Sequence, residues 1–123
     1  MRYTLWYTEN ANNFLVLMSA QTVCLTSEKG KKTLGHVLRR FREINSWSMD
    51  DLVEQIRQET GQSLSKSSIS ELERGNTEPK WNTLAILAAT GYMKNPVTGK
   101  RLKTNELFEI ACETFEPIHH LLT

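Results

Sequence analysis

Residues 65–79, with the sequence SKSSISELERGNTEP, combine many hydrogen-bonding side chains with few that could pack into a core. Ile69 and Leu72 are the large apolar residues of this segment and stand at helical spacing. Lys66 brings N–H donors and Glu71 brings carboxylate acceptors, and serines stand between them. Such groups recognise polar surfaces through hydrogen bonds. The question is what the exposed side of this segment contacts.

The groups that could take part in catalysis or metal binding are dispersed along the chain. His36, His119 and His120 match neither metal-ligand spacing nor a catalytic triad, and we expect them at the surface. Cys24 and Cys112 lie far apart, outside any C-x-x-C or mixed cysteine–histidine cluster. We expect two such cysteines to be buried apolar residues in a reducing cytoplasm, without a disulfide. The sequence therefore predicts no metal, no cofactor and no enzymatic activity.

The chain has 123 residues, enough for one domain, and its charge is unevenly distributed. Its net charge is +1, but the segment from Lys29 to Lys103 holds 14 lysines and arginines against 8 aspartates and glutamates. This surplus would suit a polyanion partner, although a solvated surface explains it about as often. The apolar run FLVLMSA, residues 14–20, is too short to span a membrane and follows no basic segment of a signal peptide.

Residues 1–32 differ in pattern from the rest of the chain and form an N-terminal extension. The runs RYTLWY and FLVLM flank TENANN, whose asparagines favour a turn, so a β-hairpin is one interpretation. A loosely held arm is a second, and a start of translation at Met18 is a third. The polar stretch TSEKGKK, residues 26–32, resembles a linker.

From Thr33 onward the apolar residues recur at helical spacing. Five helices are predicted: four at residues 33–45, 49–60, 66–74 and 81–90, and a fifth that Thr104 caps and that ends before Pro117. Their expected inner faces include Leu34, Val37, Leu38 and Phe41; Met49, Leu52, Val53 and Ile56; Trp81, Leu84, Leu87 and Ala88; and Leu107, Phe108, Ala111 and Phe115. The basic stretch at residues 95–103 is expected to be an irregular loop.

Capping residues support several of these boundaries. Ser48 with Asp51 forms a capping-box pattern at the start of the second helix, and Ser65 is an N-cap for the third. Glycine can take the left-handed conformation that ends a helix, so Gly61 and Gly75 are expected to end these two helices.

Two short helices joined by a glycine-containing turn are typical of helix-turn-helix proteins. In that arrangement the third helix would enter a major groove about 12 Å wide. Short side chains at Ser67 and Ser68 would let its backbone approach, and Lys66 could reach base acceptors or phosphate. Ile69 and Leu72 would hold the helix to the domain.

Residues 34 to about 90 resemble the Cro/C1-type, or Xre, family of phage and bacterial repressors. The resemblance rests on LGHVLRRFRE, on the capped SMDDLVEQI, on SKSSISELERG and on EPKWNTLAILAA. It implies base contacts from Lys66, Ser67 and Glu71, and Ser70 shares their outward face. It implies phosphate contacts from Arg74, Asn76, Thr77 and Lys80. It also implies a structural ion pair between Arg42 and Glu73.

Two features depart from the family pattern. The start of the second helix often carries a glutamine that donates to phosphate, and here it is Met49, which cannot donate. The connection between Ile56 and Ile69 is about six residues longer than the usual short turn. An extended second helix would account for the added length, which either shifts a docking element or lies away from the DNA.

The sequence thus predicts an all-α protein, with a compact five-helix Cro/C1-type domain at residues 33–116 and a tail at 117–123. Its expected role is a cytoplasmic, sequence-specific transcriptional regulator that binds double-stranded DNA. A homodimer formed through residues 1–32 or the fifth helix remains open. The alternatives are an antitoxin-like or adaptor protein, whose fold mainly binds a protein partner, and a scaffold module without DNA binding.

Overall fold

The computed structural model describes residues 25–115, which form five α-helices. They are α1 (Glu28–Ile44), α2 (Met49–Thr60), α3 (Lys66–Arg74), α4 (Trp81–Ala89) and α5 (Thr104–Ala111). Within these residues there is no β-strand, and an isolated antiparallel bridge joins Lys94 to Arg101. The all-α fold class is confirmed for this part of the chain. The expectations for residues 1–24, including Met18, and for the tail at 117–123 lie outside the described residues.

α1 begins at Glu28, five residues before the predicted position, so the predicted linker is mostly helical. The Ser27 side chain caps the helix by accepting a hydrogen bond from the Gly30 N–H at 2.9 Å. Glu28 puts a negative charge in the first turn, where the helix dipole favours it. A Cβ on Gly30 would lie 1.9 Å from the carbonyl oxygen of Ala111. The glycine and polar residues that suggested a linker therefore form a capped helix start packed closely against α5.

The predicted boundaries of α2 and α3 are confirmed. Ser48 and Asp51 form the expected capping box, with hydrogen bonds of 3.0 and 2.8 Å between the side chain of one and the backbone N–H of the other. The Ser65 side chain caps α3 by accepting a backbone hydrogen bond at 3.0 Å. Gly61 and Gly75 follow the two helices at φ 70°, a conformation that glycine adopts without strain.

The long connection between α2 and α3 divides between helix and loop. α2 has 12 residues and ends at Thr60. Residues 61–65 are exposed, apart from the half-buried Leu64, which packs against the core. The added length therefore includes an exposed loop immediately before the Ser65 cap of α3.

The core gathers the inward faces of all five helices and residues from the α4–α5 connection. Its fully buried members include Leu34, Val37, Leu52, Ile56, Leu84, Met93, Leu102 and Leu107. The burial predicted for Trp81 is wrong: the residue is 54% exposed because it opens α4 at the surface, where its ring lies 6.2 Å from the Phe108 ring in an edge-type arrangement. In α5, Ile110 is buried, whereas Phe108 is only half-buried.

The stretch at 95–103, expected to be irregular, is an ordered turn. The buried Asn95 accepts hydrogen bonds from two backbone N–H groups of the turn at 2.8 and 3.2 Å, and its amide donates to Glu106 at 3.3 Å. Backbone hydrogen bonds of 2.7 and 2.9 Å flank the bridge between Lys94 and Arg101. The buried Asn95 side chain thus holds the connection between α4 and α5 in an ordered form. The basic composition of this stretch did not indicate that order.

α1 is joined to the end of α3 by the predicted ion pair between Arg42 and Glu73. Nε and Nη2 of the guanidinium donate to the two carboxylate oxygens at 2.8 and 3.0 Å, and Nη1 donates to the Trp47 carbonyl at 2.9 Å. The side chains are 11% and 4% exposed, so the pair is largely desolvated. The hydrogen bond with Glu73 raises the pKa of Arg42 above its ordinary value. The backbones of α1 and α3 also lie close together here, since a Cβ on Gly35 would lie 2.2 Å from the Glu73 carbonyl oxygen.

Tyr92 lies near this ion pair. Its ring meets Trp47 at a centroid distance of 5.5 Å, and its buried hydroxyl group has no hydrogen-bond partner among the described residues. Burial raises the pKa of Tyr92 well above its ordinary value; the charge of Glu73 raises it further and that of Arg42 lowers it. The ring therefore contributes packing, while the hydroxyl group carries a desolvation cost that no bond to these residues offsets.

Replacing Glu73 by glutamine should lower the free energy of unfolding by about 3 kcal/mol, because the Arg42 charge stays buried without its counter-ion. The exposed pair between Arg39 and Glu43 in the same helix, at 3.0 Å, supplies a matched control. Glu43→Gln should change the free energy of unfolding by less than about 0.5 kcal/mol. Urea denaturation at neutral pH measures both, and equal effects would contradict the structural role of the buried pair.

Tyr92→Phe should raise the free energy of unfolding by about 1 kcal/mol, because it removes a buried hydroxyl group without a partner. In the folded chain the raised pKa keeps Tyr92 neutral, whereas the unfolded chain ionises this phenol above about pH 10. Stability that is fully present below that pH is therefore lost as the pH rises towards the folded pKa. Denaturation from neutral to alkaline pH should show a smaller alkaline loss in the variant. A variant less stable than the native chain at neutral pH would refute this account of the hydroxyl group.

Candidate nucleic-acid interface

α3 presents a small polar surface because its two large apolar residues turn inward. Ile69 and Leu72 are only 2% and 5% exposed. The four residues predicted to face DNA bases divide into an exposed pair, Lys66 and Ser67, and a half-buried pair, Ser70 and Glu71. The exposed members of this set therefore lie in the first turn of α3, the part from which recognition helices contact base edges.

A shallow depression of about 210 Å³ runs from the first turns of α3 across the α3–α4 connection to α4. Its polar lining includes Ser67, Glu71, Thr77, Glu78, Lys80 and Thr83. Ser67 and Glu71, predicted to contact bases, thus lie beside Thr77 and Lys80, predicted to contact phosphates. Lys66, Ser70, Arg74 and Asn76 are not among the residues that line it.

Lys66, the cation predicted to reach a base, is paired within the protein. Its ammonium group lies 3.3 Å from a carboxylate oxygen of Asp50 at the start of α2. The two side chains are 59% and 75% exposed, so water screens the pair and its contribution to stability is small. An anion that used Lys66 would have to replace Asp50 as its partner.

Arg74 is held by its own helix. Its guanidinium donates to a carboxylate oxygen of Glu71 at 2.7 Å and also donates to the hydroxyl group of Ser70. Arg74, which was predicted to contact a phosphate, is therefore hydrogen-bonded to Ser70 and Glu71, which were predicted to contact bases. Because the side chains of Arg74 and Glu71 are 54% and 40% exposed, a phosphate could compete for the guanidinium without opening the core.

Asn76, Thr77 and Lys80 occupy exposed positions in the connection between α3 and α4. The backbone N–H of Asn76 donates to the carbonyl oxygen of Glu71 at 3.2 Å, which completes the end of α3. Lys80 is the N-cap residue of α4, and its ammonium group forms no ion pair with the described residues. Lys80 is thus a fixed backbone position with a positive charge available to a ligand.

The start of α2 is unsuited to a phosphate. Met49 is half-buried and packs against the core, so it offers no hydrogen-bond donor there. Asp50 and Asp51 follow it in the first turn, and hydrogen bonds from Ser48 lower the pKa of Asp51. Two carboxylates at this helix end would repel a phosphate, in addition to the missing donor.

The sequence did not assign a role to Lys31 and Lys32, because it put both in a linker. In the structure, a Cβ on Gly75 would lie 2.9 Å from the Cα of Lys32, so this exposed lysine borders the end of α3. The Lys31 ammonium group lies 3.1 Å from Glu28 and 3.7 Å from Glu78; its hydrogen bond with Glu28 raises the Lys31 pKa, and Glu78 adds to the effect. Ser27, which caps α1, and Glu28 after it are the residues that could have indicated a helix here instead of a linker.

Within the described part of the chain, no group of three or more histidine, cysteine, aspartate or glutamate side chains could hold a metal ion. None of the described helices is long and apolar enough to cross a membrane. Cys112 is half-buried and disulfide-bonded, so the prediction that the cysteines lack a disulfide is wrong for this residue. Separation along the chain was a poor guide because it does not limit distance in space. Cys24, His119 and His120 lie outside the described residues.

The chain was compared with protein-family models, with curated proteins and with solved structures. None of the three comparisons found a match. The resemblance to Cro/C1-type repressors therefore stays a prediction from the residues quoted above.

Proposed function

We propose that this protein is a sequence-specific transcriptional regulator that inserts α3 into the major groove of double-stranded DNA. The observation that supports this proposal is the depression shared by α3 and the α3–α4 connection. It brings Ser67 and Glu71 beside Thr77 and Lys80. One surface therefore offers groups suited to base edges next to groups suited to the sugar–phosphate backbone.

The size and composition of α3 fit this role. Its 9 residues make a short helix, of roughly 14 Å, that can lie in a groove about 12 Å wide. Ser67 and Ser68 are exposed and short, so they permit close approach. Lys66 can donate to guanine O6 or N7, and Glu71 can accept from the amino group of cytosine.

DNA binding would require two ion pairs to exchange partners. Lys66 would leave Asp50, and Arg74 would leave Glu71. Both pairs are exposed, so each exchange costs at most about 1 kcal/mol. The two released carboxylates would remain close to the DNA and repel its phosphates. This arrangement lowers the affinity for random sequences more than for a site whose base donors engage Glu71.

A protein-binding role of the antitoxin-like or adaptor kind is the second candidate. The same ion pairs favour it, because they leave the α3 surface with little unpaired positive charge. We prefer DNA because Lys80 and Lys32 flank this surface with exposed ammonium groups that pair with no described carboxylate.

The proposed regulator would act on DNA in the cytoplasm, and a homodimer would suit an operator with two-fold symmetry. A disulfide at Cys112 counts against a reducing compartment, because disulfides persist mainly in oxidising ones. The assignment to the cytoplasm therefore rests on the DNA-binding role alone.

Lys66→Ala and Lys80→Ala should weaken DNA binding in different ways. Lys66→Ala should cost about 1–3 kcal/mol on the preferred site and relax selectivity at one base position. Lys80→Ala should weaken binding to every sequence and reduce the slope of log affinity against log salt by about one. A site selected from random duplexes and a scrambled duplex, titrated over a salt series, measure both effects. If the folded Lys66→Ala protein kept its affinity and selectivity, α3 would not be the recognition helix and the protein-binding role would lead.

Asp50→Asn should strengthen binding to all DNA sequences by about fivefold at low salt, because it frees Lys66 and removes a charge that repels phosphate. Glu59→Gln is the matched control: it removes one charge at the other end of α2, where Glu59 bonds to Gln55 at 3.0 Å. The control should change affinity by less than about twofold. Fluorescence anisotropy with a random duplex measures both variants. Binding unchanged by Asp50→Asn would show that the DNA does not approach this end of α2.

A further inference from the structure

A second concentration of positive charge lies on the ordered turn between α4 and α5. Its cations are Lys94, Lys100, Arg101 and Lys103. The sequence holds no aspartate or glutamate between Glu78 and Glu106. None of the four cations forms an ion pair with a described residue, whereas Lys66 and Arg74 on α3 do. The Glu106 carboxylate accepts hydrogen bonds from Asn95 and from the Lys103 backbone N–H, but it forms no ion pair with the four cations.

The backbone brings two of these cations together. Lys94 and Arg101 face one another across the isolated antiparallel bridge. Opposite residues of an antiparallel pair put their side chains on the same side, and like charges there repel. The hydrogen bonds of the buried Asn95 hold the turn in this form. An anion bound at the turn would relieve the repulsion.

Arg101 is positioned by the end of α4. Its Nη1 donates to the carbonyl oxygen of Ala89 at 3.4 Å. A Cβ on Gly91 would lie 3.1 Å from its Nε, so the glycine leaves room for the guanidinium. The side chain is still exposed, and a guanidinium with further N–H donors suits a carboxylate or a phosphate.

An apolar floor next to these cations distinguishes a protein partner from a nucleic acid. An open depression of about 490 Å³ has Ala85, Ala88, Ala89 and Leu102 among its lining residues, and Lys100 and Lys103 contribute to the same lining. Alanine side chains can receive small alkyl groups by apolar contact. A sugar–phosphate backbone would use the cations and leave the floor without a partner.

We propose that this basic cleft, formed by Ala85, Ala88, Ala89 and residues 100–104, docks an acidic peptide segment of another protein. Carboxylates of the segment bind Lys100, Arg101 and Lys103, and its small apolar side chains lie on the alanine floor. This docking surface is separate from the depression beside α3 and does not depend on DNA binding.

The test uses the full chain and a fluorescent peptide of about twelve residues that alternates glutamate with alanine. Binding is measured by anisotropy in about 50 mM salt, where screening is moderate. Lys100→Gln with Lys103→Gln should weaken peptide binding by about tenfold. Lys66→Gln with Lys80→Gln removes the same charge from the α3 surface and should change it by less than about twofold. Thermal unfolding checks that both double variants remain folded.

A second peptide tests the alanine floor. A peptide that alternates glutamate with glycine should bind more weakly than the glutamate–alanine peptide, because it has no side chain to place on the floor. Equal binding of the two peptides would overturn the role of the floor. Equal losses in the two double variants would mean that the peptide responds only to net charge, and the proposal would fall. No peptide binding by the native chain, together with loss of duplex DNA binding in the cleft variant, would identify a nucleic-acid surface instead.

Discussion

The arrangement of the helices at the candidate interface depends on the bidentate bond between Arg42 and Glu73. The guanidinium ties the end of α3 to α1 and, through its third nitrogen, holds the carbonyl of Trp47 in the turn that leads to α2. A shift of α3 along α1 would leave two charges unpaired in a largely dry environment, which costs several kcal/mol. One side chain therefore limits how α2 and α3 can be placed relative to α1.

Local rules predicted much of the fold, and contacts between distant residues limited the rest. Ser48, Ser65, Gly61 and Gly75 act on their own helix ends, so the boundaries of α2 and α3 could be read from the sequence. The start of α1 also carried local signals, the Ser27 cap and Glu28. Gly30 suggested a linker instead, because the α5 carbonyl group that it packs against is far away in the sequence. The pairing of Arg42 with Glu73 came from a family resemblance, since nothing local joins residues 31 positions apart. At the candidate interface, the sequence predicted that Lys66 and Arg74 contact DNA, but it did not predict their ion pairs with Asp50 and Glu71.

The contrast between the two charged surfaces also comes from contacts between residues that are distant in the sequence. On α3, Lys66 and Arg74 look available in the sequence, but folding brings carboxylates to both of them. On the α4–α5 turn the sequence suggests an ordinary solvated loop, but folding sets Lys94 opposite Arg101 and fixes the turn with Asn95. Net charge along a segment is therefore a weak guide to binding. The two surfaces differ in the cations left unpaired after folding, since Lys66 and Arg74 on α3 have carboxylate partners and the four cations of the turn form no ion pair with the described residues.

The close contacts of α1 bear on how such a chain can diverge during evolution. At Gly30 and Gly35 a methyl group would meet backbone atoms of α5 and α3, which cannot move aside as a flexible side chain can. Substitution at either position has to be matched by displacement of a whole helix, whereas the exposed lysines on the same helix can change singly. Homologous chains with this architecture should therefore keep two small residues five positions apart in their first helix, while the charged residues around them differ from chain to chain. Such a spacing would reveal kinship in sequences whose surfaces no longer look alike.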